Sequence, residues 1–199
     1  YKTPSLKVLA RVDWNINKNH KFNIRYNMVN SKRSSAPSAS RTGLPNSNFS
    51  TSSCTSMYAL YFENARYYQE QNFSSVAGEL NSRFLDGALN NTLRVSYSHQ
   101  YEPRSVNGGY FPFVDLVVKD VNGDSKNHIY TTFGTEAFSY GNLRDVSTTI
   151  VTDELSYNTG IHSLLAGFQF EYDKTQNGFQ RMGAGAYTFE FDNEQALYN

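Results

Sequence analysis

A single cysteine, Cys54, leaves the 199-residue chain without an internal disulfide, and no Cys/His cluster has the spacing of a zinc site. A disulfide scaffold and a structural zinc domain are therefore excluded. The chain also lacks any run of about 18 apolar residues, which excludes a helical membrane span. Excess charge of either sign is missing too. The 18 basic residues balance 18 acidic ones, whereas a nucleic-acid partner demands a basic excess to neutralise phosphates, so none is expected. Apolar residues are scarce at 39%, against about 45–50% in ordinary globular domains. Aromatics are not scarce: 15 Tyr and 14 Phe stand beside one Trp. Disordered chains lack such residues, so a soluble β-rich domain or a membrane β-barrel remains. The opening Tyr1-Lys2-Thr3-Pro4 has no initiator Met and no signal-peptide pattern, and Tyr198-Asn199 falls in mid-pattern. The expectation is an internal segment of a longer chain.

Wherever periodicity is strong it is two residues. Leu6, Val8, Ala10, Val12, Trp14 and Ile16 alternate with Lys7, Leu9, Arg11, Asp13 and Asn15. After the turn at 17–19 the pattern resumes as Phe22, Ile24, Tyr26 and Met28 against Asn23, Arg25 and Asn27, forming a hairpin. Residues 92–102 place Leu93, Val95, Tyr97, His99 and Tyr101 on one face, and 163–173 do so with Leu164, Ala166, Phe168, Phe170 and Tyr172. Residues 69–84 and 146–158 keep the phase less cleanly through Val76, Leu80, Phe84, Leu155 and Tyr157. Segments this long match the roughly 9–11 residues of a tilted membrane strand, against roughly 5–6 in soluble sheets. Repeated Arg, Glu, Asp and Asn in the polar phases suit a water-filled lumen rather than a sandwich core. One wet face of a large soluble sheet would alternate in the same way.

Turn lengths give an independent test. Three connections are short, at 17–19, Asp86–Asn90 and Asn158–Ile161, and two are long, at about 31–68 and 105–144. Outer-membrane barrels keep short turns on the periplasmic side and long loops outside. Spans at 5–16, 20–31, 69–84, 91–103, 145–158 and 162–175 satisfy that parity, with a further outside loop from Gln176. The strand-like stretch 57–64 would break it and is placed within the first loop. Ser-rich stretches at 34–40 and 50–53 favour mobile coil there. In the second loop, 113–118 and 129–133 flank Asn122-Gly123 and read as a small hairpin with a type I′ turn.

Chemical motifs are sparse. Asp120-Val121-Asn122-Gly123-Asp124 resembles the start of a calcium loop, but Ser125 and Thr131 stand where its Gly and bidentate Glu should be. A hairpin turn is the better reading. His20, His99, His128 and His162 are scattered, and neither a Gly-x-Ser-x-Gly elbow nor a phosphate loop occurs. No acid, base or nucleophile set can be assembled, so an enzyme is not expected, nor a cofactor or metal. Trp14, Tyr26, Tyr97, Tyr101, Tyr157, Phe170 and Tyr172 on the apolar phase suit an interfacial aromatic girdle. Tyr61, Phe62, Tyr67, Tyr68, Tyr110, Phe111, Phe113, Phe138 and Tyr140 fall in the outside loops and are candidates for ligand contact.

The run Lys7-Val8-Leu9-Ala10-Arg11-Val12-Asp13-Trp14-Asn15-Ile16-Asn17, with His20-Lys21-Phe22 and Arg25-Tyr26-Asn27, resembles the barrel of TonB-dependent outer-membrane receptors of the Oar-like group of Bacteroidetes. Glu79–Phe84, Tyr140–Val146 and His162–Glu171 look similar to later strands of those barrels. The resemblance implies an all-β antiparallel transmembrane barrel of about 22 strands, of which residues 1–199 supply about six spans of a single barrel domain. The family's plug domain, absent from these residues, and the TonB system would be partners besides membrane lipid, and a surface lipoprotein is a partner class that the resemblance allows. The implied function is energised uptake of a nutrient or macromolecular ligand at the cell outer membrane. On this reading Arg11, Asp13, Arg25, Glu79, Arg83, Arg94 and Glu171 face the lumen or a plug. Lumen salt bridges are the plainer role for them. A passive channel or adhesin, or a soluble secreted module binding glycan or protein, are the alternatives.

Overall fold

The computed structural model describes residues 2–38, 59–119 and 127–199. Strands β1 (Ser5–Asn15), β2 (His20–Ser35), β4 (Tyr67–Phe84), β5 (Leu89–Val106), β8 (Leu143–Thr159) and β9 (His162–Gly178) form one antiparallel meander in the order β1-β2-β4-β5-β8-β9. A strand occurs at each place where a span is expected. Most overrun the expected limits by a few residues toward the long-loop end, where alternation of polar and apolar side chains has already ceased. The chain is all-β with an open sheet: β1 and β9 pair on one side only, and the described residues form no closed barrel.

A second, mixed sheet caps the long-loop end. It joins β3 (Leu60–Tyr61), β6 (Phe113–Lys119), β7 (Asn127–Phe133) and β10 (Ala186–Phe191) in the order β10-β6-β7-β3. The expected β6–β7 hairpin forms, while its Asn122-Gly123 turn and the calcium-like stretch lie outside the described residues. So do Cys54 and the 50–53 serine stretch. The segment 57–64 stays in the loop as expected, its described part pairing in parallel with Thr131 and Thr132. Two elements were not expected. The loop after Gly178 returns as β10, parallel to β6, and ends in the short helix α1 (Glu194–Tyr198) capped by the Asn193 side chain. All three outer connections thus contribute strands to one lobe.

Register fixes what each face of the six-stranded sheet carries, because residues directly opposite share a face. Ala10, Tyr26, Val76, Tyr97, Thr149 and Tyr172 form one cross-strand row, and Val12, Ile24, Gly78, Val95, Val151 and Phe170 the next toward the short turns. The six alternating patterns therefore merge into one apolar face. That face is uncovered: Trp14 is 61% exposed and Phe168 and Tyr172 are 59% exposed. The only buried residues of the large sheet are polar, Asn23 and Ser82.

The apolar band also slants across the rows. On β1 it runs from Leu6 to Trp14, and on β9 from Leu164 to Tyr172. Tyr172 belongs to the row of Ala10, two rows below Leu6, and Leu164 lies two rows beyond Phe168, which shares Trp14's row. Between these end strands both margins fall by two rows, while Ile16 beyond β1 and Tyr101 of β5, which shares Leu6's row, extend the apolar face past them. Two rows are about 14 Å along a strand and five inter-strand gaps about 24 Å, a slant of roughly 30°. One polar pair interrupts the band, where Asn91 Nδ2 donates to Asp153 Oδ1 at 2.6 Å.

The dry core sits in the outer lobe. Phe113 and Ala137 pack with Phe138, Met182 and Ala186, and Val117 and Ile129 pack with Ala59, so each cluster draws on more than one connection. Glu136 is buried and its carboxylate accepts from Ser38 N at 3.1 Å and Phe138 N at 2.9 Å, tying the first connection to the second. Gly134, at φ +92°, passes so close to the Pro112 carbonyl that no side chain fits there.

Candidate functional site

Five of the seven lumen candidates meet on the polar face. Asp13, Asn23, Glu79 and Arg94 occupy one cross-strand row, and Arg11 and Arg25 face each other in the next. Glu79 is the hub. Its Oε1 accepts from Asn81 Nδ2 at 2.9 Å and Asn23 Nδ2 at 3.3 Å, and its Oε2 accepts from Arg94 Nε at 2.8 Å, with Arg25 Nη2 at 3.7 Å. Thr92 Oγ1 donates to Asn81 Oδ1 at 2.9 Å and so orients the amide that serves Glu79. The Glu79 side chain is only 17% exposed, so its charge-assisted bonds are less screened than those of an open ion pair. Arg11 and Asp13 form a two-point pair at 2.8 and 2.7 Å along one strand, both more than half exposed, which carries little stability.

The network leaves capacity unused. Asn23 Oδ1 and Arg25 Nε are shielded and meet no hydrogen-bond partner among the described residues. The other two candidates lie apart. Arg83 stands at the short-turn end of β4, where it lines a cavity with Lys18 and Lys21. Glu171 stands on β9 opposite Ile150, two strands beyond Arg94.

The nine loop aromatics do not form one surface. Phe113 is 2% exposed and belongs to the lobe core, because β6 turns it toward Ala137, so its assignment to ligand contact is corrected. Phe138 packs on the same cluster. Phe62 and Phe111 both approach Phe133, with ring centroids 6.2 and 6.1 Å away. Tyr110 meets Tyr140 edge to face at 4.7 Å, and its hydroxyl donates to the Gly183 carbonyl. Tyr61 lies in β3, opposite Thr132 of β7. Tyr67 and Tyr68 open β4 and lie beneath cations, Arg104 at 5.9 Å and Lys32 at 4.3 Å. Tyr68 also donates to Glu63 Oε1 at 3.0 Å. Phe62, Tyr110, Phe111 and Tyr140 remain exposed.

Sequence reasoning missed the exposed Tyr187 and Phe189 of β10, whose signal was the alternation Tyr187, Phe189, Phe191. It also missed the Lys119–Asp192 pair at 2.8 Å, which fastens the end of β10 to β6. That contact holds the Asp192 carboxyl below its ordinary range and the Lys119 ammonium above its own. In the same lobe, the Tyr198 hydroxyl beside Tyr130 raises the Tyr130 phenol.

No family model, no curated protein and no solved structure matches the chain. Two surfaces are available: a polar sheet face organised by Glu79, and a lobe at the long-loop end presenting aromatic rings.

Proposed function

We propose that the six-stranded sheet is part of the wall of an outer-membrane β-barrel, its apolar face toward lipid and its Glu79 face toward a water-filled lumen. The slanted band is the observation that carries this reading. Strands of a barrel tilt by about 35–45° to the membrane normal, so a lipid slab of fixed depth must cross their rows obliquely. The band's extent of about 27 Å along β1 and along β9, foreshortened by tilt, fits an apolar belt about 25 Å tall. The two open edges call for further strands, since lipid tolerates no unpaired backbone.

In the fuller version of the proposal the barrel is a receptor that takes up a nutrient or macromolecular ligand, as the resemblance to TonB-dependent receptors implies. The lobe captures the ligand through Phe62, Tyr110, Phe111 and Tyr140. A plug domain lies against the polar face, and TonB supplies the energy. A lobe with its own core is also what an adhesin would present, and that is the second reading.

Trp14 is the only tryptophan and stands at the short-turn margin of the band, so its fluorescence tests the lipid assignment. In bilayers whose acyl chains carry bromine, Trp14 emission should be strongly quenched, while aqueous iodide quenches it weakly. Strong iodide quenching with no bromine effect sinks the proposal and leaves a soluble β module.

A further inference from the structure

We infer that the cavity at the short-turn end of the polar face is a binding site for an oxyanion of the phosphate class. The β1–β2 turn is closed by Asn17 Oδ1, which accepts from the backbone N–H groups of Asn19 and His20 at 2.8 and 2.9 Å. That turn projects Lys18 beside the end of β4, where Arg83 N donates to the Asn19 carbonyl at 2.8 Å. Lys21 sits opposite Asn81, and Arg83 lies two residues beyond Asn81 on the same face, a diagonal of about 7–8 Å that long side chains span. Lys18, Lys21 and Arg83 thus line one cavity of about 280 Å³.

No carboxylate lines that cavity. Glu79, the nearest acid up the strand from Asn81, is already engaged by Arg94, Asn81 and Asn23. Glu154 stands opposite Thr92 on the next strand and does not line the space. Three cations gathered without a counter-ion repel one another, and a bound anion relieves that repulsion. The neutral lining adds hydrogen-bond donors. Asn81 and Asn90 each spend one amide hydrogen, on Glu79 and on the Gly87 carbonyl, and keep a second. The guanidinium fork of Arg83 matches two oxygens of a tetrahedral anion, while the lysines act as point charges. The volume admits a phosphate group with several waters, each of about 30 Å³.

Free phosphate and a lipid phosphomonoester share this chemistry, and the site is independent of the lumen assignment because binding is read on the purified protein. Titrating inorganic phosphate into the protein in zwitterionic detergent, followed by calorimetry, should give saturable binding that weakens as salt rises. The pair Lys21→Gln with Arg83→Gln should weaken it by about tenfold or more. The charge-conserving pair Lys21→Arg with Arg83→Lys should retain it. Lys174→Gln, on the opposite face, should leave it unchanged, and circular dichroism should show the same strand content throughout. Competition from phosphatidic acid micelles would assign the site to a lipid headgroup, and binding without that competition to a soluble phosphate. Absence of saturable binding, or equal affinity in the double Gln pair with strand content intact, overturns the inference.

Discussion

The large sheet and the outer lobe dispose of their apolar side chains in opposite ways. In the lobe Phe113, Val117, Val118 and Ile129 are buried within the protein, as in any soluble domain. In the sheet the apolar residues stand exposed on one face, and the residues shielded from solvent are Asn23 and Ser82. Composition does not separate the two regions, since both are rich in Val, Leu, Phe and Tyr. What differs is connectivity. The lobe is built from three connections that cross-pair into a small sheet with loops packed on it, which encloses a core. The meander adds strand to strand in one layer and has nothing of its own to cover either face. Such a layer needs a cover for its apolar side. On the proposed reading that cover is lipid, with water on the other face, which leaves neither set of side chains in the wrong medium.

The strongest way to break the comparison is to cut the lobe's core and see whether the sheet notices. Phe113→Ala should cost the lobe about 3–5 kcal/mol, read as loss of hydrogen-exchange protection in β6, β7 and β10 with the sheet strands unchanged. Simultaneous loss in β4 and β5 would show that the regions are one cooperative unit. Next comes a contrast between the two faces. Val151→Arg, in the apolar band, should destabilise the protein in lipid vesicles by about 2–4 kcal/mol, whereas Thr152→Arg, one residue on and facing the polar side, should cost well under half of that. Equal costs in urea titrations would erase the distinction.

A smaller effect is expected at the hub. Glu79→Ala strips Arg94 and two asparagines of their shared acceptor and should cost about 1.5–3 kcal/mol in the same titrations. Glu171→Ala, away from the cluster, should be near neutral. The smallest effect is a pH dependence confined to the lobe. The folded Asp192 carboxyl lies below its ordinary value, so its contribution is complete above the usual carboxylate range and is lost as pH falls through the folded value. The raised Lys119 makes the complementary contribution, lost only as pH rises through its own folded value. Protection factors of β10 amides, corrected for intrinsic exchange, should therefore fall slightly in acid below about pH 4, and Asp192→Asn should abolish that response.

Much of the sheet was legible because its information is local. A two-residue period locates each span, and short turns such as Asn158–Ile161 fix the partners. The same period predicts that Arg11, Asp13, Arg25, Glu79 and Arg94 share a face. It does not say that Arg25 and Arg94 converge on Glu79, because that depends on the β2–β4 register across a long connection. The tops of β2, β4 and β5 were less legible, since above the band alternation loses its apolar phase while backbone pairing continues. The lobe was least legible. Parallel pairing of β10 with β6, or of Leu60 with Thr131, joins segments far apart in sequence and leaves no periodic trace. The loop position of Phe113 suggested exposure, yet the second and third connections pack together and bury it.

The central claim is that alternate residues of one strand meet lipid and water, and β9 tests it most directly. Single cysteines at each position from 164 to 173, in a Cys54→Ser background reconstituted in vesicles, would be labelled with a charged aqueous maleimide and with a lipid-soluble one. The account predicts a two-residue period, with 164, 166, 168, 170 and 172 reacting only with the lipid-soluble reagent and 165, 167, 169, 171 and 173 with the aqueous one. Uniform aqueous labelling at every position would contradict it.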